Sequence, residues 1–300
     1  MSNEAASSLR LARAHASLEG LSVGDAFGEC LFEDQSAIEL RLVPPAFWPT
    51  TDDTEMAIAL VDLLRRHGGI EEDLLALAFA GRFAADRNRG YGPGTEGILT
   101  EIRAGGSWRE AAERPFGGQG SLGNGSAMRV APVGAYFADE HERLIAEATR
   151  SAVVTHAHPD GVAGAIAIAV AAAWACRRDD DRSDSLFEVV LSSTPTGATR
   201  AGIEVASRLP RDADPRVAGR ELGTGWNITC ADTVPFCLWA FARHLDDYRE
   251  ALWTTVSVPG DRDTNCAIVG GLVAAFTGVE GVPDDWRAAR EPLRHDLDLV

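Results

Sequence analysis

Two short runs of oxygen-bearing residues carry the strongest chemical signal in this sequence. Thr51-Asp52-Asp53-Thr54 stands directly before a helical apolar pattern, and Asp261-Arg262-Asp263-Thr264-Asn265 opens another. Helix capping explains part of each run: Asp52 followed by Glu55 reads as a capping box, and Asp261 or Asp263 would serve as a plain N-cap. A cap uses one acceptor, whereas each start here carries two carboxylates and a threonine. Like charges raise one another's pKa, so carboxylates gathered without a cation are costly. The duplication therefore sets a metal site beside capping as a reading of both runs. Such ligands would all be hard oxygens, which suits Mg2+ or Mn2+ and disfavours zinc. An EF-hand is excluded by spacing: counted from Asp261, Cys266 stands at the glycine position and Leu272 at the glutamate position.

A third candidate is the glycine-rich run Gly117-Gly118-Gln119-Gly120-Ser121-Leu122-Gly123-Asn124-Gly125-Ser126, followed by Ala127-Met128-Arg129-Val130. Glycines let backbone N–H groups approach a ligand closely, and a helix N-terminus behind them attracts phosphate. Gly118 to Gly123 matches GxGxxG, but no strand precedes it and no βαβ unit surrounds it, which argues against a dinucleotide fold. No Walker sequence is present. The competing reading is an ordinary flexible turn.

The elements that must position these residues are helical. Met56, Leu60, Leu63 and Leu64 share one helix face, which Gly68-Gly69 ends. Leu74, Leu77, Ala78 and Phe83 make a second stripe, and further helices are predicted over 9–27, 126–137, 140–154, 160–176, 196–208, 232–244 and 264–277. Alternating strand patterns are nearly absent; Leu40-Arg41-Leu42-Val43 is the best, and it is short. The expectation is an all-α fold forming a single domain over 1–300. The charged run 177–185 reads as a solvated connection and 207–225 as a second irregular stretch. No fixed-period repeat is visible.

Composition narrows the function. In 300 residues, 45% are hydrophobic and 24% charged, which fits a globular chain. A formal net charge of −17 repels phosphate backbones and anionic lipid, disfavouring general nucleic-acid or membrane-surface binding. Cys30, Cys176, Cys230, Cys237 and Cys266 are scattered without a CxxC pair, which points to free thiols in a reducing cytoplasm. The first ten residues show no apolar h-region, so no signal peptide is expected. The longest apolar run, 161–176, falls short of the ~20 residues that span a bilayer and reads as a buried central helix.

With these features in view, the chain resembles the ADP-ribosylglycohydrolase family, which includes the dinitrogenase reductase-activating glycohydrolase and the ADP-ribosyl-acceptor hydrolases. The resemblance rests on an ordered set of landmarks running from Gly20 to Gly278. They begin with Gly20-Leu21-Ser22-Val23-Gly24-Asp25-Ala26-Phe27-Gly28-Glu29 and Thr51-Asp52-Asp53-Thr54. Arg89-Gly90-Tyr91-Gly92 and Gly120-Ser121-Leu122-Gly123-Asn124-Gly125-Ser126-Ala127-Met128-Arg129 follow. Thr155-His156 and Gly260-Asp261-Arg262-Asp263-Thr264-Asn265 complete the set.

The resemblance implies a compact orthogonal bundle of helices with two Mg2+ ions, Mn2+ being an alternative. It implies Thr51, Asp52, Asp53, Asp261, Asp263 and Thr264 as ligands. It places ADP-ribose in a groove lined by Gln119, Gly120, Ser121, Leu122, Gly123, Asn124, Gly125 and His156, with Phe116 against the adenine and Trp226 near the substrate. Leu122 stands where some members have an aromatic residue that helps hold adenine. The catalytic residues it implies are Asp53 and a glutamate whose register is shifted: the family position is Phe32 here, so Glu29 is the first choice and Glu33 the second. The implied reaction is hydrolysis of an ADP-ribosylated substrate at the anomeric carbon of the distal ribose, releasing ADP-ribose. Two alternatives stand beside it: a non-catalytic ADP-ribose-binding or structural member, like the lens crystallins that resemble this family, and a binuclear phosphohydrolase acting on a nucleotide.

Overall fold

Glycine at every fourth position from Gly20 to Gly28 leaves one helix face without side chains. In the computed structural model, which describes residues 3–177 and 186–295, that face belongs to the helix Asn3–Cys30 and lies against the helix Arg262–Thr277. A Cβ on Gly24 would stand 2.1 Å from the Cys266 carbonyl oxygen, and one on Gly28 would stand 2.4 Å from that of Arg262. Two backbones this close admit no side chain between them. The N-terminal and C-terminal parts of the chain are thereby locked together along one seam.

The rest is helical as well, with 17 α-helices and two isolated β-bridges among the described residues. Pro159–Cys176 is buried along most of its length and packs against the helices Ala131–Tyr136, His141–Val153, Leu186–Ser193, Cys230–Arg243 and Arg262–Thr277. It is long and apolar enough to cross a membrane, but here its apolar faces are covered by protein. Asp52–His67 begins with Thr51 as N-cap, its hydroxyl accepting from the Asp53 N–H, and ends on Gly68 at φ 68°. Acidic residues in its first turn and Arg65, Arg66 and His67 in its last complement the helix dipole.

The predicted helices over 9–27, 140–154, 160–176, 196–208, 232–244 and 264–277 correspond to observed ones with small shifts at the ends. Three expectations differ. The 126–137 segment divides into a 3-10 turn, Asn124–Ser126, and a helix, Ala131–Tyr136, because Pro132 suits a first helical turn and not an interior. Leu40 to Val43 forms no strand. Asp34 caps a short helix, Gln35–Leu40, through the Ala37 N–H at 2.9 Å, and Arg41 ends it at φ 52°. A strand there would also find no sheet to join. The irregular stretch 207–225 contains the helix Pro215–Leu222, whose Asp214 cap, N-terminal proline and closing Gly223 are all legible signals. In the charged run, 178–185 lie outside the described residues.

The glycine seam should be intolerant of even one carbon. Gly24→Ala is expected to lower the melting temperature by several degrees, since overpacking costs ~1–3 kcal/mol or more. Gly97→Ala, in a helix with no atom within 4 Å of the new Cβ, should hold or raise it. Thermal denaturation followed by circular dichroism measures both, and an unchanged midpoint in Gly24→Ala would show that the seam can open cheaply.

Candidate active site

The seam places Asp25, on the first helix, beside the two acidic runs. Asp25 Oδ2 accepts from the Thr51 N–H at 2.9 Å, and its Oδ1 lies 2.8 Å from Thr51 Oγ1. Thr54 Oγ1 donates to Oδ2 as well. Asp25, Asp53 and Asp263 bring carboxylate oxygens within 4.8 Å of one another. From the far side, Asn124 Nδ2 donates to Asp261 Oδ2 at 2.7 Å, tying the glycine loop to the second acidic run. Asp52 is held by its N–H, which donates to the Arg89 carbonyl at 2.7 Å, while Arg89 Nη1 donates to the Thr50 carbonyl at 2.8 Å.

Arg262 explains why the second run alternates charge. Its guanidinium is buried away from the carboxylates and donates to the Phe32 carbonyl at 2.6 Å, the Leu31 carbonyl at 3.3 Å and Gln35 Oε1 at 2.9 Å. It thus fixes the turn that follows the first helix. Asp261 and Asp263 are left on the other side, facing Asp53 and Asp25.

This gathering of carboxylates is electrostatically expensive. Burial, then the Asp25 charge, raises Asp52 to about 8. Burial followed by the neighbouring carboxylates holds Asp53 and Asp263 well above the usual range, and burial lifts Asp25 to about 6. Asp53 Oδ1 and Asp263 Oδ1 are buried without any hydrogen-bond partner. Two orphaned oxygens among crowded aspartates fit a divalent cation, since charge compensation and coordination would satisfy both defects at once. Asp25 fits a supporting role better than direct ligation, because its oxygens already accept three hydrogen bonds.

A groove of about 400 Å³ runs from this cluster along the glycine loop. Asp52, Asp53, Asp261, Asp263 and Thr264 form one end, and Ser121 to Gly125, Phe116 and His156 form walls. His156 is buried, and burial pushes its pKa down to about 3, so the ring is neutral. The buried guanidinium of Arg129 donates through Nη2 to Thr155 Oγ1 at 2.8 Å, and that hydroxyl lies 2.7 Å from His156 Nδ1. With that hydroxyl donating to Nδ1, the ring proton sits on Nε2, and His156 then presents an N–H donor toward the groove. Burial lowers the Arg129 pKa to about 9, which the charges of Asp52, Cys230 and Asp53 oppose. That cation partly offsets the acidic cluster from behind.

On the other side of Asp261 and Asp263 opens a second cavity, lined also by Glu29, Phe32, Glu33 and Asp34. Glu29 stands one turn beyond Asp25 at the end of the first helix, and partial desolvation raises its pKa. Glu33 lies in the turn after it. The structure brings both glutamates to the same cavity, one on a helix and one on a turn.

Several expected positions fall elsewhere. Gln119 is exposed, and Gly120 is buried against Ala157 and His158; neither lines the groove. Trp226 is 69% exposed and borders a separate cavity next to the groove, because Gly225, at φ 87°, directs the chain outward there. Thr51 sits behind the carboxylates, its hydroxyl engaged with Asp25 and Asp53. The glycines at 123 and 125 accommodate His156 rather than a ligand: a Cβ on Gly125 would lie 2.8 Å from His156 Cε1, and one on Gly123 would lie 3.1 Å from Nε2. Sequence reasoning passed over Asp25, although a lone carboxylate inside an apolar, glycine-spaced helix is a usable signal. It also passed over Ile228, an exposed groove residue at φ 53°, a strained conformation for a β-branched side chain that no sequence feature announces.

Comparison with known proteins decides the family. The ADP-ribosylglycohydrolase family model matches residues 6–299. The chain belongs to the ADP-ribosylglycohydrolase family. Among curated members, ADP-ribosylhydrolase ARH3 of Bos taurus is 30% identical over 80% of this chain and 74% of its own length. The ADP-ribosylarginine hydrolase Tri1 of Pseudomonas putida is 26% identical over 92% of this chain and 73% of its own length. A solved structure titled ADP-ribosylglycohydrolase-related protein complex superposes with a TM-score of 0.69 at 24% identity, covering 95% of this chain and 94% of that one. The all-helical architecture is that of the family.

The raised carboxylates set a pH dependence for the chelated protein. An acid whose folded pKa exceeds its unfolded value keeps its proton longer when folded, so stability falls as pH rises toward the folded value. His156, depressed to about 3, acts in the opposite sense but only below its unfolded value of 6.5. Between pH 6.5 and about 8, where Asp52 titrates, melting temperature in EDTA should therefore fall with pH. Millimolar Mg2+ should raise it and flatten the slope, because a ligand of the folded state stabilises by mass action. A melting temperature insensitive to Mg2+ at pH 8 would count against a cation site.

Proposed function

We propose that this chain is a divalent-cation-dependent ADP-ribosyl hydrolase that cleaves the glycosidic bond at the anomeric carbon of the distal ribose and releases ADP-ribose. The observation that carries the reading is the pair of orphaned carboxylate oxygens, on Asp53 and Asp263, at a groove walled by a glycine loop and a neutral histidine. The activities named for the curated relatives support the same chemistry. Asp52, Asp53, Asp261 and Asp263, with Thr264, would hold Mg2+, or Mn2+ in its place, as two ions, while Thr51 steadies Asp25 and Asp53 from behind. Such ions would supply charge neutralisation and Lewis acidity where they bind.

The chain's own groups bind and orient the substrate. The His156 Nε2–H and the amides of Leu122 and Gly125 offer donors to the pyrophosphate, the Gly123 and Asn124 amides being held by Ser121 Oγ and the Ile228 carbonyl, and the exposed ring of Phe116 offers an apolar face to the base. That anchorage sets the distal ribose over the carboxylates, which is where binding energy becomes positional. The transition state has oxocarbenium character, so the carboxylates around the ribose also stabilise developing positive charge. Glu29, raised by partial desolvation and fixed on a helix, takes or gives the proton from the acceptor side. Asp53 is the most enclosed of the aspartates that line the groove, and it shares that end with Asp263. The acceptor enters through the cavity that contains Glu29 and Glu33.

Product analysis with a panel of ADP-ribosylated substrates tests the reaction. Free ADP-ribose is expected; a cleaved pyrophosphate or no product would overturn the proposal. Asp53→Ala and Asp263→Ala should abolish turnover, as should EDTA, with Mg2+ restoring the wild type alone.

Glu29→Gln should leave ADP-ribose binding intact in calorimetry while turnover drops by about 10²–10⁴-fold, the range for a general acid–base group. Glu33→Gln should turn over nearly normally. Loss confined to Glu33→Gln would move the proton-transfer role to the turn.

A further inference from the structure

The cavity that contains Trp226 is not explained by the groove. It measures about 480 Å³ and is bordered by Arg216, Arg220, Trp226 and Asn227. Arg216 and Arg220 lie one turn apart on the helix Pro215–Leu222, so their side chains share a face. Among the described residues neither guanidinium forms an ion pair, in a chain where 45 acidic residues face 28 basic ones and surface arginines such as Arg13, Arg41 and Arg249 do pair. The bordering carboxylate, Asp232, is turned into the loop backbone, where it accepts from the Asn227 N–H at 2.7 Å. Trp226 is the exposed member of the seven tryptophans; the other six are buried or half-buried.

Two free guanidiniums present planar donors that match phosphate oxygens, and an exposed indole offers a face on which a base can stack. Such a combination on a strongly acidic molecule suits a ligand that is both anionic and aromatic. We propose that this cavity is a second nucleotide-binding site, with Arg216 and Arg220 on the phosphates and Trp226 against the base. It borders the ADP-ribose groove, since Asn227 lines both. The ligand is either a free nucleotide or a nucleotide unit of the acceptor joined to the ADP-ribosyl group. The binding claim does not depend on the hydrolytic reading.

Titration of the Mg2+-loaded protein with ADP, followed by tryptophan fluorescence and calorimetry, tests it. ADP should quench the fluorescence saturably. Arg216→Ala/Arg220→Ala should raise the apparent Kd at least tenfold with an unchanged melting temperature. Trp226→Phe should lose the quench yet still bind ADP in calorimetry, and Phe116→Ala, in the groove, should leave the quench unaltered. Absence of quenching at millimolar ADP, or equal affinity in the double arginine variant, overturns the proposal. Once binding holds, hydrolysis separates the two sources. A KM increase in the double variant confined to phosphate-bearing acceptors assigns the site to the substrate, and equal KM values on both acceptor classes assign it to a free nucleotide. If no substrate is hydrolysed, the titration still decides whether the site exists.

Discussion

The close crossing of the helices Asn3–Cys30 and Arg262–Thr277 governs the rest of the molecule. Gly20, Gly24 and Gly28 let the two backbones touch, and nothing larger fits. That contact sets Asp25 and Glu29, one turn apart on the first helix, against Asp261 and Asp263 at the start of the other. Arg262 reinforces it from the opposite face by holding the Leu31 and Phe32 carbonyls in the turn after the first helix. A site assembled from chain segments more than 200 residues apart in sequence is therefore as rigid as one helix pair.

Rigidity is what the electrostatics require. Left to relax, crowded carboxylates would separate or take up protons. Here the glycine seam, the Thr51 cap and the Asn124 amide hold them in place, and the buried Arg129 supplies a compensating charge that stays one step removed from the ligand side. The same arginine is tied through Thr155 to the His156 ring, so a single buried cation reaches both the acidic cluster and the histidine wall of the groove. Stability is given up where the carboxylates crowd, and a cation bound there, as proposed, would recover it.

Much of this was legible in the sequence. The two acidic runs, the glycine loop and the helical periods are local patterns, and local patterns survive translation into structure. Asp25 was less visible, because its importance comes from what packs against it and not from its neighbours in sequence. The glycines at 123 and 125 were legible as loop glycines, but the reason for them, the His156 ring, comes from a segment about 30 residues on. Trp226 was carried to the groove by resemblance, whereas the left-handed turn at Gly225 sends it to the neighbouring cavity. Side-chain direction after a glycine turn is set by tertiary contacts, which no single-sequence pattern encodes.

The loops deserve the same physical reading as the helices. The run from Ser121 to Gly125 and the run from Thr224 to Thr229 are paired to each other by the Asn124 N–H to the Ile228 carbonyl and the Cys230 N–H to the Leu122 carbonyl, both at 3.1 Å. Thr224 in turn accepts from the Asp261 N–H at 2.9 Å and from Asn265 Nδ2 at 2.8 Å. The groove-lining backbone is thus hydrogen-bonded, loop to loop and then from loop to the helix that carries Asp263. Such a chain explains how Ile228 can be kept at a strained positive φ: the surrounding bonds over-determine it. It also means that the groove and the carboxylate cluster cannot shift independently. On the proposed reading, a ligand held at the loop would thereby be held in register with the aspartates, which is the geometric condition for positioning an anomeric carbon without a closing lid.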